Sequence, residues 1–127
     1  MTVPVNGLLL FAHGARDPAW ALPFEAVARR CREQQPGRPV QLAFLEFMTP
    51  NLVQAGDLLA AQACTTVNVV PLFLGAGGHV RKDIPVLMAQ LVERHPALKW
   101  HLQPTVGESP ELVEAMARIA LRANDAP

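Results

Sequence analysis

Charge of one sign, cysteine and long apolar runs are all scarce in this chain of 127 residues. Lysine plus arginine and aspartate plus glutamate number 11 each. No global field therefore draws the protein to nucleic acid or to an anionic membrane surface, and any anionic ligand has to be met by local charges. The two cysteines, Cys31 and Cys64, stand far apart, form no Cys-x-x-Cys motif and fall in segments that read as helices. That usage points to reduced core thiols in a cytoplasmic protein. No segment approaches the roughly 20 apolar residues that span a bilayer, and the N-terminus has neither the basic region nor the cleavage site of a secretory signal. A Gly-x-Gly-x-x-Gly fingerprint, a Walker lysine and a Gly-x-Ser-x-Gly elbow are also missing. Nucleotide-dependent chemistry and serine hydrolysis consequently have no support in the sequence.

What is present is apolar. Half of the residues are hydrophobic against 17% charged, which excludes disorder and favours a folded globular class. The length suits one hydrophobic core and is too short for two, so a single domain over residues 1–127 is expected.

Two stretches organise the chain. Val67 to His79 reads Val-Asn-Val-Val-Pro-Leu-Phe-Leu-Gly-Ala-Gly-Gly-His, an apolar, β-branched run that empties into a glycine-rich loop closed by a histidine. Gly75, Gly77 and Gly78 let a ligand come close to the main chain where His79 is presented. The run from Gly7 to Ala12 does the same, emptying into His13-Gly14-Ala15-Arg16-Asp17-Pro18. Continuous apolar character marks both runs as strands covered on both faces.

The remaining elements follow in order. Trp20, Phe24, Val27, Ala28 and Cys31 recur at helical spacing, and Pro18 and Pro23 delay the helix to about Leu22. Val40 to Phe47 reads as the second strand, followed by a helix with Thr49 as N-cap and Pro50 at its first position. Leu52, Val53, Leu59, Ala60 and Ala63 carry that helix's apolar face. A helix opened by Asp83 places Ile84, Leu87, Met88, Leu91 and Val92 on one face and ends near His95-Pro96. Leu98 to Gln103 alternates like an edge strand. Ser109-Pro110 opens a last helix, with Leu112, Val113, Met116, Ile119 and Ala120 facing inward, and residues 124–127 are expected to fray.

Four strands alternating with four helices imply an α/β domain: a doubly wound parallel sheet with right-handed crossovers and helices on both faces. A flavodoxin-like strand order sets the first and third strands side by side at the switch point. His13 and His79 then become neighbours in the crevice where such sheets bind ligands, and Glu46, ending the second strand, sits on the same rim.

Two imidazoles and a carboxylate suit a labile divalent metal site with a base that titrates near neutrality. The ordinary alternative for each histidine, a loop hydrogen bond, does not explain why two end up at adjacent strand ends. Glu46 suits a metal ligand or a proton acceptor and equally suits capping of the helix start near Thr49; both readings stay open. Arg16, Arg81 and Lys82 either ring the crevice for a carboxylate or phosphate ligand or are solvated loop charges. His95, in a last helical turn, and His101, on the polar side of the fourth strand, are set aside. Trp20 and Trp100 read as core or interface anchors.

Four blocks in order, His13-Gly14-Ala15-Arg16-Asp17-Pro18, Phe44-Leu45-Glu46, Pro71-Leu72-Phe73-Leu74 and Gly78-His79-Val80-Arg81-Lys82-Asp83-Ile84-Pro85, resemble the small CbiX-type sirohydrochlorin chelatases over nearly the whole chain. The resemblance implies a class II chelatase that inserts cobalt, iron or nickel into sirohydrochlorin without nucleotide hydrolysis, on the route to cobalamin or sirohaem. It places the family's histidines on His13 and His79 and its strand-end acid on Glu46. The metal is then substrate, with no cofactor permanently bound. The carboxylates of the tetrapyrrole meet Arg16, Arg81, Lys82 and loop amides around Gly77 and Gly78. It further implies a homodimer, while the balanced charge and the lack of a spanning segment give the expectation of no nucleic-acid or membrane partner. The first block departs from the family's common His-Gly-Ser-Arg by carrying Ala15, which removes one hydroxyl and leaves the histidines untouched. A non-catalytic metal or tetrapyrrole carrier is the competing reading. A histidine-type phosphohydrolase is disfavoured because Ala12 stands where an arginine is wanted.

Overall fold

The first apolar run folds as β1, Asn6–Ala12, and from Leu9 onward its side chains are buried to either side. The computed structural model describes residues 3–75 and 77–123, and of residue 79 the backbone alone. The expected fraying of residues 124–127 lies outside the described residues. β1 pairs in parallel with β2 (Val40–Phe44) on one side, Leu8 opposite Val40 and Ala12 opposite Phe44. On its other side runs β3 (Thr66–Pro71), Asn6 opposite Thr66 and Phe11 opposite Pro71. β4 (Lys99–Leu102) joins the outer edge of β3, completing the order β2-β1-β3-β4. This is the expected flavodoxin-like order. β4 is the solvated edge strand that its alternation predicts, with only Trp100 partly covered.

Two helices cover one face. Leu52, Ala55 and Leu59 of α2 (Leu52–Ala61) and Val80, Ile84 and Leu91 of α3 (Gly78–Arg94) pack on Leu9, Phe11, Val67 and Val69. On the other face Ala28 of α1 (Leu22–Gln34) packs with Leu10, Ala12, Leu42 and Phe44. Ala21 of the preceding 3-10 turn, Pro18–Ala21, joins them, with Trp20, Phe24 and Cys31 alongside. Each fully buried leucine of these layers contributes about 1.5–3 kcal/mol relative to exposure. No helix among the described residues is long and apolar enough to cross a membrane.

Several elements differ from expectation, each for a local reason. β2 stops at Phe44 rather than Phe47, because Phe47 takes φ 67°, which no strand continues. α2 opens at Leu52 with Asn51 as its cap, not at Thr49-Pro50. The Asn51 side chain accepts from the Gln54 amide at 2.8 Å, and the Gln54 side chain accepts from the Asn51 amide at 2.8 Å. This reciprocal box satisfies two of the helix's orphan donors. The Pro50 carbonyl is instead engaged by the Phe44 N–H at 2.9 Å. Ala63 lies beyond the end of α2 and is exposed, with φ 62°.

α3 begins at Gly78, five residues before Asp83, with Gly77 as its extended cap and the Arg81 N–H donating to the Gly77 carbonyl. Burial of Val80 one turn ahead of Ile84 rewards the earlier start. Pro85 is accommodated inside this helix, where it has no N–H to offer the carbonyl four residues back. Val92 of α3 and Val27 of α1 face solvent instead of the core.

The largest correction concerns α4 (Pro110–Leu121), which buries none of its residues. Val113, Met116 and Ile119 are exposed, Ile119 by 61%. The helix has an apolar stripe as its periodicity predicts, but the stripe does not lie on the sheet.

Candidate metal-insertion site

The site is built where β1 and β2 run out together. Beyond the strands the Leu45 N–H donates to the Ala12 carbonyl (2.9 Å) and the Glu46 N–H to the His13 carbonyl (3.1 Å), so the ladder holds both loops in register for two more residues. Gly14 then turns away with φ +94°, so close to β2's loop that a Cβ there would lie 1.9 Å from the Glu46 carbonyl oxygen. Only glycine combines this torsion with this approach. The result is a contact between the two functional side chains: His13 Nε2 lies 2.9 Å from Glu46 Oε1, both groups nearly half exposed. With the carboxylate accepting, Nε2 is the donor nitrogen of this contact, and Nδ1 is the ring nitrogen left outside it. Glu46 thus faces His13 and does not cap α2, whose cap is Asn51.

β3 supplies the floor. The Leu72 N–H donates to the Phe11 carbonyl at 2.7 Å, carrying the β1–β3 ladder into the third loop. Phe73, buried, meets the His13 ring edge-on at 6.3 Å between centroids and Phe11 at 5.7 Å. The Gly107 N–H donates to the Phe73 carbonyl at 2.9 Å. A Cβ on Gly107 would sit 1.7 Å from the Leu74 carbonyl oxygen. The short 3-10 turn Val106–Glu108 therefore clamps the third loop from outside.

His79 does not belong to that loop, as its glycine-rich surroundings suggest, but to the first turn of α3, with Gly78 before it and Gly77 as cap. Its side chain lies outside the described residues. Among the described residues, no group of three or more His, Cys, Asp and Glu side chains gathers into a metal cage. His13 and Glu46 are the pair brought together. Arg81 and Lys82 follow in α3, both exposed. Arg81 also lines a cleft of about 400 Å³ with Leu74, Gly75, Pro85, Gln103 and Glu108. Arg16 lies on the β1 loop, its guanidinium carbon 5.0 Å from the centre of the Phe47 ring.

Phe47 and Phe73 belong to the site's surroundings, a role the sequence reading does not assign them. The available signal was an aromatic following the strand-end acid in one case and an apolar run continuing past Pro71 in the other. Trp20, stacked on Phe24 at 4.5 Å, is the half-buried anchor its type predicts.

A second charged cluster lies far from this rim. Asp57 of α2 takes Arg94 Nε at 3.0 Å and its terminal nitrogen at 2.6 Å, and His95 Nε2 lies 2.6 Å from Asp57 Oδ1. Hydrogen bonding to Arg94 holds the Asp57 carboxyl below the usual carboxylate range. Arg94 ends α3, about 24 Å along the helix axis from the His79 end, so this network ties α2 to α3 and takes no part in the site. His95 accordingly caps and braces a helix end.

The family model described as CbiX matches residues 7–123. The chain is 30% identical over 118 residues to the sirohydrochlorin cobaltochelatase of Sulfolobus acidocaldarius, covering 92% of this chain and 91% of that one. It is 27% identical over 95 residues to the sirohydrochlorin ferrochelatase of Priestia megaterium, covering 75% of this chain and 36% of that longer relative. Among solved structures, the putative cobalamin biosynthesis CbiX protein of Marinobacter aquaeolei superposes with a TM-score of 0.82 at 30% identity, covering 92% of this chain and 95% of that one.

Proposed function

Since the chain belongs to the CbiX family, we propose that it is a chelatase, a lyase forming metal–nitrogen bonds, that inserts a divalent metal ion into sirohydrochlorin. The observation that carries this reading is the His13–Glu46 pair, 2.9 Å apart at the carboxyl ends of neighbouring strands. Insertion exchanges one divalent ion for two pyrrole N–H protons, so the site needs ligands that release the ion and a base that takes protons. Imidazole and carboxylate do both near neutral pH. His13 and His79 hold the ion, and Glu46, already hydrogen-bonded to His13, accepts a proton or adds a ligand oxygen as the ion enters the ring. Two protons leave to solvent in each turnover and no nucleotide is consumed.

Arg16, Arg81 and Lys82 meet the tetrapyrrole's carboxylates, with the N–H groups of Gly77 and Gly78 at the head of α3. Cobalt(II) and iron(II) are the favoured ions, with nickel(II) a further one; imidazole accepts all three, and supply and geometry select among them. The setting is cobalamin or sirohaem biosynthesis in the cytoplasm. The protein acts as a homodimer in which a second copy covers the apolar stripe of α4. This is supported by the exposure of Val113, Met116 and Ile119 and by a relative of which this chain spans 36%.

The test is anaerobic absorbance of sirohydrochlorin mixed with cobalt(II) or iron(II), with wild type, His13→Ala, His79→Ala and no protein. Metallation faster than the spontaneous rate, and dependent on both histidines in folded variants, is expected. A bound-tetrapyrrole spectrum without acceleration for any metal would replace the enzyme by a carrier.

A further inference from the structure

Among the described residues, Phe47 combines two features that the fold does not account for. It is a bulky side chain in the left-handed region at φ 67°, where glycine or asparagine is usual, and its side chain is not repaid by burial, since the residue is 57% exposed. The surroundings hold it there. The loop after β2 is pinned at its start by the Leu45 and Glu46 N–H bonds to Ala12 and His13, and at its end by the Phe44 N–H bond to the Pro50 carbonyl. Phe47 stands at the tip between these pins, directly after Glu46. The Arg16 guanidinium lies 5.0 Å from the centre of its ring. Arg16 belongs to the His13 loop, so this cation–π contact is a second link between the two loops that His13 and Glu46 already join. Beside it, Phe47 lines an open cleft of about 340 Å³ together with Pro18, Ala21, Phe44 and Met48.

We propose that Phe47 and Arg16 form a substrate-contact lip: the exposed ring packs against the face of the conjugated macrocycle, and the guanidinium it supports pairs with a peripheral carboxylate. This inference rests on the chelatase reading for the identity of the ligand. A flat, polyanionic, conjugated molecule is recognised by an aromatic face next to a planar cation. An exposed aromatic kept at a torsion that favours glycine has a use that the fold does not supply. Phe47 is a binding and positioning residue; the ion and the protons stay with the histidines and Glu46.

The experiment is metal-free binding of sirohydrochlorin, read by absorbance and fluorescence, to wild type, Phe47→Gly, Phe47→Trp and Arg16→Ala, with thermal unfolding and sedimentation of each. Phe47→Gly is expected to bind about three- to tenfold more weakly, the worth of one aromatic contact. Its melting temperature should be no lower than that of wild type, since glycine adopts φ 67° freely. In turnover it should raise KM with little change in kcat. Phe47→Trp should restore affinity. Unchanged binding by Phe47→Gly overturns the proposal, as does a binding loss that tracks a fall in melting temperature or a change in sedimentation, which would assign the ring to the fold or to a contact between copies. Failure of wild type to accelerate metallation, with Phe47→Gly still losing affinity, defeats the chelatase reading alone. Acceleration by wild type with undiminished binding by Phe47→Gly defeats this inference alone.

Discussion

Gly14→Ala is expected to damage stability and activity together, because one glycine serves both. Its φ of +94° is a torsion that L side chains rarely adopt, costing about 1–2 kcal/mol. The added Cβ would lie 1.9 Å from the Glu46 carbonyl oxygen, and the obstacle is backbone, which cannot rotate away as a side chain can. Overpacking of this kind costs roughly 1–3 kcal/mol. Together the two give a destabilisation of about 2–5 kcal/mol, against the total of about 5–15 kcal/mol typical of a small domain. The variant folds with a clearly lower midpoint in urea. Relief is available if the two loops part, at the expense of the 3.1 Å bond from the Glu46 N–H to the His13 carbonyl. A shift on the order of 1 Å at such a site costs about 10²-fold in rate. Gly14→Asn separates the two causes, since asparagine tolerates positive φ but carries the same Cβ. If the close approach dominates, the asparagine variant is nearly as damaged as the alanine one. An alanine variant with wild-type urea midpoint and wild-type metallation rate would refute the reasoning.

Three further outcomes are expected. Asp57→Asn should be less stable than wild type at pH 7, and the gap should close as pH falls. The native Asp57 carboxyl is held low chiefly by its bond to Arg94, so its contribution is whole above the unfolded value of about 4 and lost as pH drops through the lower native value; urea titrations at pH 7 and at stepwise lower pH measure this. Cys64, buried beneath Gly7 with its thiol pushed up by burial, should resist iodoacetamide in the folded protein while the less buried Cys31 is alkylated first, as peptide mass mapping would show. Ile119→Asp should convert a dimer to a monomer in sedimentation without lowering the monomer's melting temperature, because Ile119 is exposed on the single chain; a wild type already monomeric at working concentration rules out α4 as the contact.

The parts legible in the sequence were those decided by short, continuous apolar runs. Gly7 to Ala12 and Val67 to Pro71 read as buried strands, and setting them side by side put the His13 loop next to the chain that leads into α3. The Glu46 position followed from ending β2 beside β1. What stayed hidden depends on contacts between distant segments. β2 stops short of Phe47 because Phe47 takes φ 67° in a loop whose Phe44 N–H reaches Pro50 and whose Glu46 carbonyl is crowded by Gly14, none of which the residues 40–47 reveal by themselves. α3 starts at Gly78 because Val80 is buried against the core, which outweighs two glycines and a proline that local propensity reads as loop. The periodicity of α4 shows which of its faces is apolar and says nothing of what covers that face.

The same distant contacts bear on the proposed insertion, in which so small a rim would handle a labile ion. A chelatase must bind its metal well enough to strip water from it and loosely enough to surrender it to the ring, so its ligands gain more from fixed position than from number. Among the described residues, the segments directly after β1, β2 and β3 are each held by backbone hydrogen bonds. The ladder carries the β1 and β2 loops two residues past their strands, and Gly107 clamps the loop after β3 through the Phe73 carbonyl. Gly14 and Gly107 both stand where any side chain would collide with a main-chain carbonyl, and at Gly14 that carbonyl is Glu46's, so the close packing of these two loops sets the distance between His13 and Glu46. The His13 and Glu46 side chains themselves remain nearly half exposed, which in the proposed reaction leaves them open to an ion arriving from water and to a macrocycle approaching from the same side. For the proposed insertion, main chain fixed beneath accessible side chains is the arrangement that would let a metal enter from solvent and leave into a substrate.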